Sequence, residues 1–421
     1  MNTEAHVAQF LKDNGYTETL RVFEREYGKP FSNSPDEPLE SIIEDRYNYK
    51  TLNAKTEDSE INASLSKELN EILHNQVDEW SVPYPKDPEL VSDSIDGLVI
   101  SSCLVFCKNT PILFLGTSNT KLYVINLLLK ETIQESSAFI GKCVIKNITS
   151  ASHNKLVFLG MNGKLHLCEY NYGESFEIRI IDEIQAHPRL IVDTKCIQFN
   201  NTTYVFTLGW DFTLKVFTAQ DKLNLVTEYK LPTQGTCIDV TILNNKIALV
   251  VGLNETTLLS VFHLTENDLV LLYKISLNDA QFTVSTFTPR CITIQSLSLG
   301  VPLIAVATSH EPYMRLIIVP LKDAPAIDSG SIERDQILKN LSTLSPQDKY
   351  SQPIIRWKLP KNLKHNGVWI VGEDGTIRGI DLVQEREITS YQQHDGRIKS
   401  FTLADDILIT CGTDKHVYQW V

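Results

Sequence analysis

Apolar residues recur at helical spacing in two short stretches at the start of the chain, separated by Gly15: Val7, Phe10 and Leu11, then Leu20 with Phe23. This spacing predicts two short amphipathic helices joined by a turn. Some 30 residues cannot build a core that stands alone, so we expect their apolar faces to be covered by a second copy or by the rest of the chain.

After Pro30 the chain becomes polar and acidic, and apolar residues return at helical spacing at Leu65, Leu69, Ile72 and Leu73. Residues 62–76 are therefore predicted to form a short amphipathic helix, either a coiled coil that extends a dimer or a helix docked on the large domain. The following stretch has prolines at 83, 85 and 88, which exclude helix and indicate an extended strap.

From residue 98 onward, short runs of Val, Ile, Leu and Thr alternate with Gly, Asn, Asp or Pro, the pattern of many short strands. A hairpin of two apolar runs around a tight turn recurs seven times, with turns near residues 119, 162, 211, 254, 310, 374 and 414. The intervals range from about 40 to 64 residues, close to the period of propeller repeats, and the two longest hold insertions. Seven four-stranded units closing in a ring would leave no long free strand edge.

The N-terminal positions spell V-x-x-F-L-x-x-x-G-Y-x-x-T-L-x-x-F-x-x-E, carried by Val7, Phe10, Leu11, Gly15, Tyr16, Thr19, Leu20, Phe23 and Glu26. This pattern resembles the LisH motif. In that family the two helices pair with those of a second chain, so the resemblance implies a homodimer. The alternative is an ordinary helical hairpin packed on its own domain.

The repeats resemble WD repeats, most clearly in the last copy, where His394, Thr410, Asp414 and Trp420 occupy the family's His, Ser/Thr, Asp and Trp positions. A second copy matches through three residues, with Phe217 in the place of the Trp: His187, Thr207 and Asp211. The resemblance implies that these side chains form buried hydrogen-bonded chains that lock each blade, so a His with an Asp here is a structural pair rather than a catalytic one.

The last repeat ends with its third strand at Trp420, so its outer strand should come from elsewhere. We expect residues 79–95 to supply it and thereby to close the ring. The fold class is then mainly β, a seven-bladed WD-type propeller with a small helical LisH element. The expected domains are 1–34 (LisH), 35–93 (acidic linker, helix and closing strap) and 94–421 (propeller, with an insertion at about 320–352).

Charge and cysteine content narrow the class of protein. The 421 residues carry a formal net charge of −13, and residues 36–93 hold 15 acids against 5 bases, which leaves the large domain nearly neutral. Nucleic acid is therefore not an expected partner. Eight cysteines without a C-x-x-C pair, no signal peptide and no apolar run long enough for a bilayer favour a cytoplasmic or nuclear protein that contacts no membrane.

Motifs for catalysis are lacking: neither G-x-S-x-G nor H-E-x-x-H occurs, and the histidines are scattered. We therefore expect no enzyme activity, no metal and no cofactor, with a propeller-type enzyme as the remote alternative. Candidate partner residues lie in the turns instead: Trp210 beside Asp211, and Tyr313 with Arg315. In the insertion, SIERDQILKNL (residues 331–341) has helical spacing, and such long loops are either functional or loosely ordered.

These patterns predict a dimeric, non-enzymatic scaffold that presents a propeller face to protein partners in a cytosolic or nuclear complex. Three assemblies known for this domain pair remain open: a LisH-type ubiquitin ligase in which the chain is the substrate receptor, a transcriptional corepressor, and a dynein or microtubule regulator.

Overall fold

A computed structural model describes residues 3–31, 39–40, 43, 58–80, 87–92, 95–173, 175–278, 287–295, 300–323, 330–358, 364–404 and 407–420, with backbone alone for residues 3 and 58–66. The chain divides into two compact units, Met1–Leu69 and Asn70–Val421. Pro83 and Pro85 of the predicted strap lie outside the described residues.

The first unit contains the helices α1 (Thr3–Asp13) and α2 (Thr17–Tyr27), as the N-terminal pattern predicts. Gly15 adopts a φ of +74° between them, and Gly28 ends α2 with a φ of +86° and donates its N–H to Glu24. Both positions need the left-handed conformation that glycine adopts without a side-chain clash. The pair forms a helical hairpin with its turn at residues 14–16.

Helix α3 (Asp58–Gln76) begins in the first unit and ends in the second. Its last turn and the residue after it contribute Ile72 and Val77 to an apolar cluster that includes Leu303 and Leu382. Asp78 continues the chain by donating its N–H to the carbonyl of His365 at 2.7 Å. For this part of the helix the contacts correspond to the docked alternative, whereas the side chains of residues 62–66 lie outside the described residues.

The second unit is a ring of seven antiparallel blades. The first three blades are β2 to β5, β6 to β9 and β10 to β13. Their bounds are, for blade 1, Val99–Cys107, Thr110–Thr117, Lys121–Asn126 and Glu131–Ser137; for blade 2, Ile145–Ser152, Lys155–Gly160, Lys164–Tyr172 and Phe176–Gln185; for blade 3, Ile191–Phe199, Thr202–Gly209, Thr213–Ala219 and Leu223–Lys230.

Blade 4 contains β14 to β17, with β21 added in parallel; blade 5 contains β18, β19, β20 and β22; blade 6 contains β23 to β26. Their bounds are, for β14 to β17, Gly235–Leu243, Lys246–Leu253, Leu258–Leu264 and Leu269–Ser276; for β18 to β22, Pro289–Gln295, Leu303–Thr308, Tyr313–Pro320, Ser331–Glu333 and Lys339–Pro346; for β23 to β26, Ile354–Trp357, Gly367–Val371, Thr376–Asp381 and Arg386–Gln392.

Blade 7 joins the two ends of the second unit. It consists of β27 (Ile398–Ala404), β28 (Ile407–Gly412), β29 (Val417–Trp420) and, as its outer strand, β1 (Pro88–Ser92). Strand β1 runs antiparallel to β29, with Pro88 opposite Trp420 and Leu90 opposite Tyr418. The strand that the truncated last repeat lacks is thus supplied from within residues 79–95.

All seven predicted hairpins coincide with the second and third strands of a blade, and the seven-bladed propeller is confirmed. These strands are almost wholly buried, as in β3 and β4, because they are covered on both faces by neighbouring blades.

The helical prediction for residues 331–341 is wrong: this segment forms β21 and the start of β22. Strand β21 pairs with the edge of β17, and β22 pairs with the edge of β20. This pairing satisfies the backbone N–H and C=O groups of both edge strands, which a helix in this segment would leave without a protein partner.

Candidate partner-binding site

The four predicted side chains of blade 7 form one hydrogen-bonded chain. His394 Nδ1 lies 3.0 Å from both carboxylate oxygens of Asp414, and Nε2 lies 2.9 Å from Oγ1 of Thr410. The indole N–H of Trp420 donates to the same Oγ1 at 2.9 Å. We assign the imidazole proton to Nδ1 because it faces a carboxylate, so Nε2 accepts from the Thr410 hydroxyl. The chain pairs polar groups that are costly to bury alone.

Blade 3 contains the same arrangement with one member missing. His187 Nδ1 lies 2.9 Å from Asp211 Oδ1, and Nε2 lies 2.8 Å from Thr207 Oγ1. Phe217 pairs with Val205 as Trp420 pairs with Leu408, so it occupies the position of the tryptophan without an N–H to donate. The blade 3 chain therefore ends at the threonine.

Burial keeps both imidazoles neutral. It lowers the pKa of His187 and of His394 below the ordinary histidine value, although the carboxylates oppose this shift. Burial raises the pKa of Asp211 and Asp414, but hydrogen bonds from the histidines and from neighbouring groups outweigh it, so the net pKa of each carboxyl is lowered. At 0% and 1% exposure the two imidazoles have no access to a substrate, so the geometry suits a structural role.

Trp210 lies in the turn between β11 and β12, at the end of the blade where the innermost strand begins. Its backbone N–H donates to the carbonyl of Leu190 at 2.9 Å, and Gly209 pairs with Ile191. The indole is 48% exposed and lines a cavity of about 600 Å³ at this mouth of the central channel. Trp210, singled out from the sequence, therefore lies on an accessible face.

The other blades show that the fold does not require an aromatic residue at this position. The same turn hydrogen bond, from the residue after the second strand to the residue before the first, is made by Ser118, Met161, Asn254, Ser309 and Thr413. Among the residues that donate this hydrogen bond in the six described turns, Trp210 is the one with an aromatic side chain. Serine makes the same backbone hydrogen bond in two of these blades, so the turn does not need the large indole ring of Trp210.

A second aromatic residue of this turn was missed by the sequence reasoning. Phe212 has a φ of +61° and a side chain that is 46% exposed. In blades 2 and 6 the equivalent residue is a glycine, Gly163 or Gly375, which adopts positive φ without strain. A bulky residue here costs about 1 kcal/mol, and the exposed ring recovers little of it by packing.

The mouth is also basic, which the sequence reasoning did not foresee. Four cations and one acid line the cavity with Trp210: Lys146, Arg290, Arg397, Lys399 and Asp193. Three of the cations hold the same place in three blades, since the pairing register skips the second residue of β6, β18 and β27. An alignment of the repeats on their inner strands, rather than on their hairpins, is the signal that could have found them.

The other two candidate partner residues differ from Trp210. Tyr313 is 46% exposed at the start of β20. Arg315 is held within its own blade, where Nε donates to Oδ1 of Asn340 at 2.8 Å and Nη2 donates to the Asn340 carbonyl at 3.3 Å. Neither residue lines the mouth cavity. Tyr313 is available to a partner, whereas Arg315 is used to fix β22.

The nine predicted dimerisation residues all lie on or between α1 and α2. None of them is buried by its own chain: five apolar members are half-buried, and the rest are exposed. Helix α2 buries no residue at all, and it exposes Val22 and Tyr27 in addition to Tyr16 at its start. The described helical hairpin thus keeps apolar side chains at least partly accessible on both of its helices.

Two further properties concern possible ligands. Within the described residues, no group of three or more His, Cys, Asp or Glu side chains is placed to hold a metal ion. Among the described helices, none is long and apolar enough to cross a membrane.

Comparison with protein families covers both units. Residues 59–421 match the family described as UCP007778, beta-propeller domain. The chain belongs to this family. Residues 1–35 match the LisH domain of the same UCP007778 family, which confirms the N-terminal resemblance. The propeller match begins at residue 59, upstream of residue 94 where the sequence patterns placed the start of the propeller.

The chain is similar to an uncharacterized protein of Saccharomyces cerevisiae, YGR117C. The two are 29% identical over 433 aligned positions, covering 90% of this chain and 87% of the yeast protein. The similarity therefore extends over most of the propeller and over nearly the full length of each protein.

Proposed function

We propose that this member of the UCP007778 family is a dimeric, non-enzymatic scaffold, in which LisH helices join two copies and each propeller presents its channel mouth to a protein partner. One observation carries the proposal: an exposed aromatic turn, Trp210 with Phe212, stands at a mouth where the fold itself does not require aromatic residues. Exposed aromatic groups around a cavity are typical anchors for a partner.

The partly accessible apolar side chains of α1 and α2 support the dimer. Phe10, Leu11, Leu20 and Phe23 remain partly accessible to water in the single chain. Covering such a surface with a second copy removes it from water, which favours association in proportion to the apolar area buried. Two identical mouths on one dimer raise the avidity for a repeated partner by about 100-fold when both can bind at once.

The non-enzymatic assignment rests on the surroundings of the side chains that most resemble catalytic groups, the two His–Asp pairs and the cysteines. In both His–Asp pairs the imidazole is buried, with one ring nitrogen on the carboxylate and the other on a threonine hydroxyl. The cysteines with raised pKa, such as Cys103 at about 12, are buried thiols and poor nucleophiles. We place the scaffold in the cytoplasm or nucleus, where free thiols persist.

The test is the oligomeric state of the intact chain beside the double variant Phe10→Asp/Leu11→Asp, measured by size-exclusion chromatography with light scattering. We expect a dimer for the intact chain and a monomer for the variant, because carboxylates would be placed in the helix seam. Lys12→Asp, an exposed neighbour on α1, is the matched control and should stay dimeric. A monomeric intact chain would refute the proposal.

Mass spectrometry of proteins that co-purify with the intact chain distinguishes the three assemblies expected from the sequence. Ligase subunits, corepressor subunits or dynein components would each identify one, and their loss from the double variant would tie partner binding to dimerisation.

A further inference from the structure

The mouth of the channel carries an excess of positive charge on a chain that is strongly negative. Lys146, Arg290, Arg397 and Lys399 line the cavity against Asp193, while the whole chain has a net charge of −13. One of the four cations is neutralised in place, since Arg397 Nε lies 2.8 Å from Oε2 of Glu373. The remaining three exceed the single acid of the lining.

These three cations are incompletely satisfied by the fold. The Lys146 ammonium donates to the carbonyls of Ile191 and Val192, each at 2.6 Å, so it ties blade 2 to blade 3 without a carboxylate contact. Arg290 donates to the carbonyl of Lys349 at 3.4 Å. Among the described residues, no hydrogen-bond or ion-pair partner contacts the Lys399 ammonium.

The surroundings of the mouth lower the pKa of two of these side chains, Lys146 and Lys399. Burial lowers the pKa of Lys146 to about 8, against the opposing effect of Asp193. Burial, with a smaller contribution from Arg397, also lowers the pKa of Lys399. Desolvated ammonium groups gain from an added negative charge, because it restores the stabilisation that water supplied. The mouth is therefore suited to an anionic occupant.

Two carboxylates of the inner strands, Asp239 and Asp193, are already engaged by the fold. Asp239 lies 3.4 Å from the Lys195 ammonium and accepts the Ile294 N–H at 2.7 Å. Asp193 accepts the N–H of Ile238 at 3.2 Å and that of Thr194 at 2.8 Å. Asp193 is the one acid already counted in the lining, and Asp239 is paired with Lys195, so the net charge of the lining stays positive.

We propose that the mouth binds an acidic segment of a partner protein, whose carboxylates meet Arg290 and Lys399 while a neighbouring apolar residue packs on Trp210. This inference rests on the proposed scaffold function and names the chemistry of its partner. A cavity of about 600 Å³ holds a few side chains, which fits a short peptide. A nucleic acid would need an extended basic stripe with many phosphate contacts, and three available cations do not form one.

The test uses the full chain and a random twelve-residue peptide library displayed on phage. We expect the selected peptides to carry two or more Asp or Glu residues beside an apolar or aromatic residue. Synthetic copies should bind more weakly as salt is raised. They should also bind at least 10-fold more weakly to Arg290→Glu/Lys399→Glu and to Trp210→Ala.

The matched control is Lys222→Glu/Lys246→Glu, which makes the same change in net charge at exposed positions beside the β12–β13 and β14–β15 turns, at the opposite end of the blades from Trp210. It should bind the peptides as the intact chain does. Selected peptides without acids, equal binding to the mouth variants, or no selected peptide would each overturn the inference. So would binding of a 20-nucleotide oligothymidylate that is lost in the mouth variants.

The outcomes separate this inference from the scaffold proposal. Per chain, the Phe10→Asp/Leu11→Asp variant should bind an isolated peptide as the intact protein does. If the intact chain is a dimer but the peptides are not acidic, the scaffold proposal stands and the inference fails. If the chain is a monomer that still binds acidic peptides through Arg290 and Lys399, the inference stands and the dimer fails.

Discussion

The indole of Trp80 stands edge-on to the indole of Trp369, with ring centroids 4.7 Å apart and planes at 89°. Trp80 precedes the closing strand β1 in sequence, whereas Trp369 lies in the second strand of blade 6. The space for Trp80 is made by two strand glycines, since a Cβ at Gly367 would lie 2.4 Å from the Trp80 ring and one at Gly379 would lie 2.9 Å from it. The N-terminal edge of the propeller is thereby anchored in the core of its last blades.

Trp80→Ala should destabilise the propeller by about 3 to 5 kcal/mol, because it removes a ring that is 2% exposed and leaves a cavity beside Trp369. Urea unfolding followed by fluorescence measures this loss. Trp210→Ala is the matched control, since the same ring is removed from a site that is 48% exposed; it should change the free energy of unfolding by no more than about 0.5 kcal/mol. Similar losses for both variants would contradict the anchoring role.

The closing strand offers a second test at two adjacent positions. Val91 is 5% exposed and packs in the cluster that contains Val99, Leu113 and Val417, whereas Leu90 is 43% exposed on the other face of β1. Val91→Asp should cost about 3 kcal/mol or more because it buries an unpaired carboxylate. Leu90→Asp should leave the melting temperature nearly unchanged.

Deletion of residues 78–95 should unfold the ring altogether. A deleted chain that keeps the melting temperature of the intact protein would show that β1 does not close the propeller.

The sequence predicted the blades through their second and third strands because these are apolar on both faces. The outer strands carry a weaker signal: β5, for example, alternates exposed and half-buried residues and resembles a polar loop. The blade 5 outer strand was misread for a related reason. Residues 331–341 have apolar groups at helical spacing, but the open edge of β20 selects the extended form, and a local pattern contains no information about that edge.

The candidate site could be predicted only in part, because a local sequence pattern does not show which residues of different blades become neighbours. Trp210 could be found because it stands beside the recognisable Asp211 of a repeat turn. Lys146, Arg290 and Lys399 are separated by more than 100 residues in each step, and they become neighbours through the register of three inner strands. Their proximity follows from ring closure, which no single repeat encodes.

The two hydrogen-bonded chains predict a difference between two equivalent threonines. Thr410→Val should leave both the Trp420 indole N–H and His394 Nε2 without a partner, at a cost of about 2 to 4 kcal/mol. Thr207→Val orphans the His187 nitrogen alone, because Phe217 has no donor, and should cost about 1 to 2 kcal/mol. Urea unfolding of the two variants measures the difference, and equal losses would show that the indole adds nothing to the chain.

Acid should destabilise the propeller through His365, an imidazole that is 0% exposed, with Nδ1 3.0 Å from Oε1 of Gln295. Burial lowers its pKa from 6.5 to about 4. Between these values the unfolded chain binds a proton that the native state resists, so stability is complete above about pH 6.5 and is lost as the pH falls toward 4. The linkage amounts to about 2 kcal/mol at pH 5 and about 3 kcal/mol at pH 4.

His365→Gln removes the titrating group while keeping a polar side chain at this position. Its free energy of unfolding, measured by urea at steps from pH 7 to 5, should fall less steeply than that of the intact chain, by about 2 kcal/mol over the range. The remaining decline belongs partly to His187 and His394, whose lowered pKa values act in the same direction. Parallel profiles for the two proteins would mean that His365 takes up its proton in the folded state as readily as in the unfolded one.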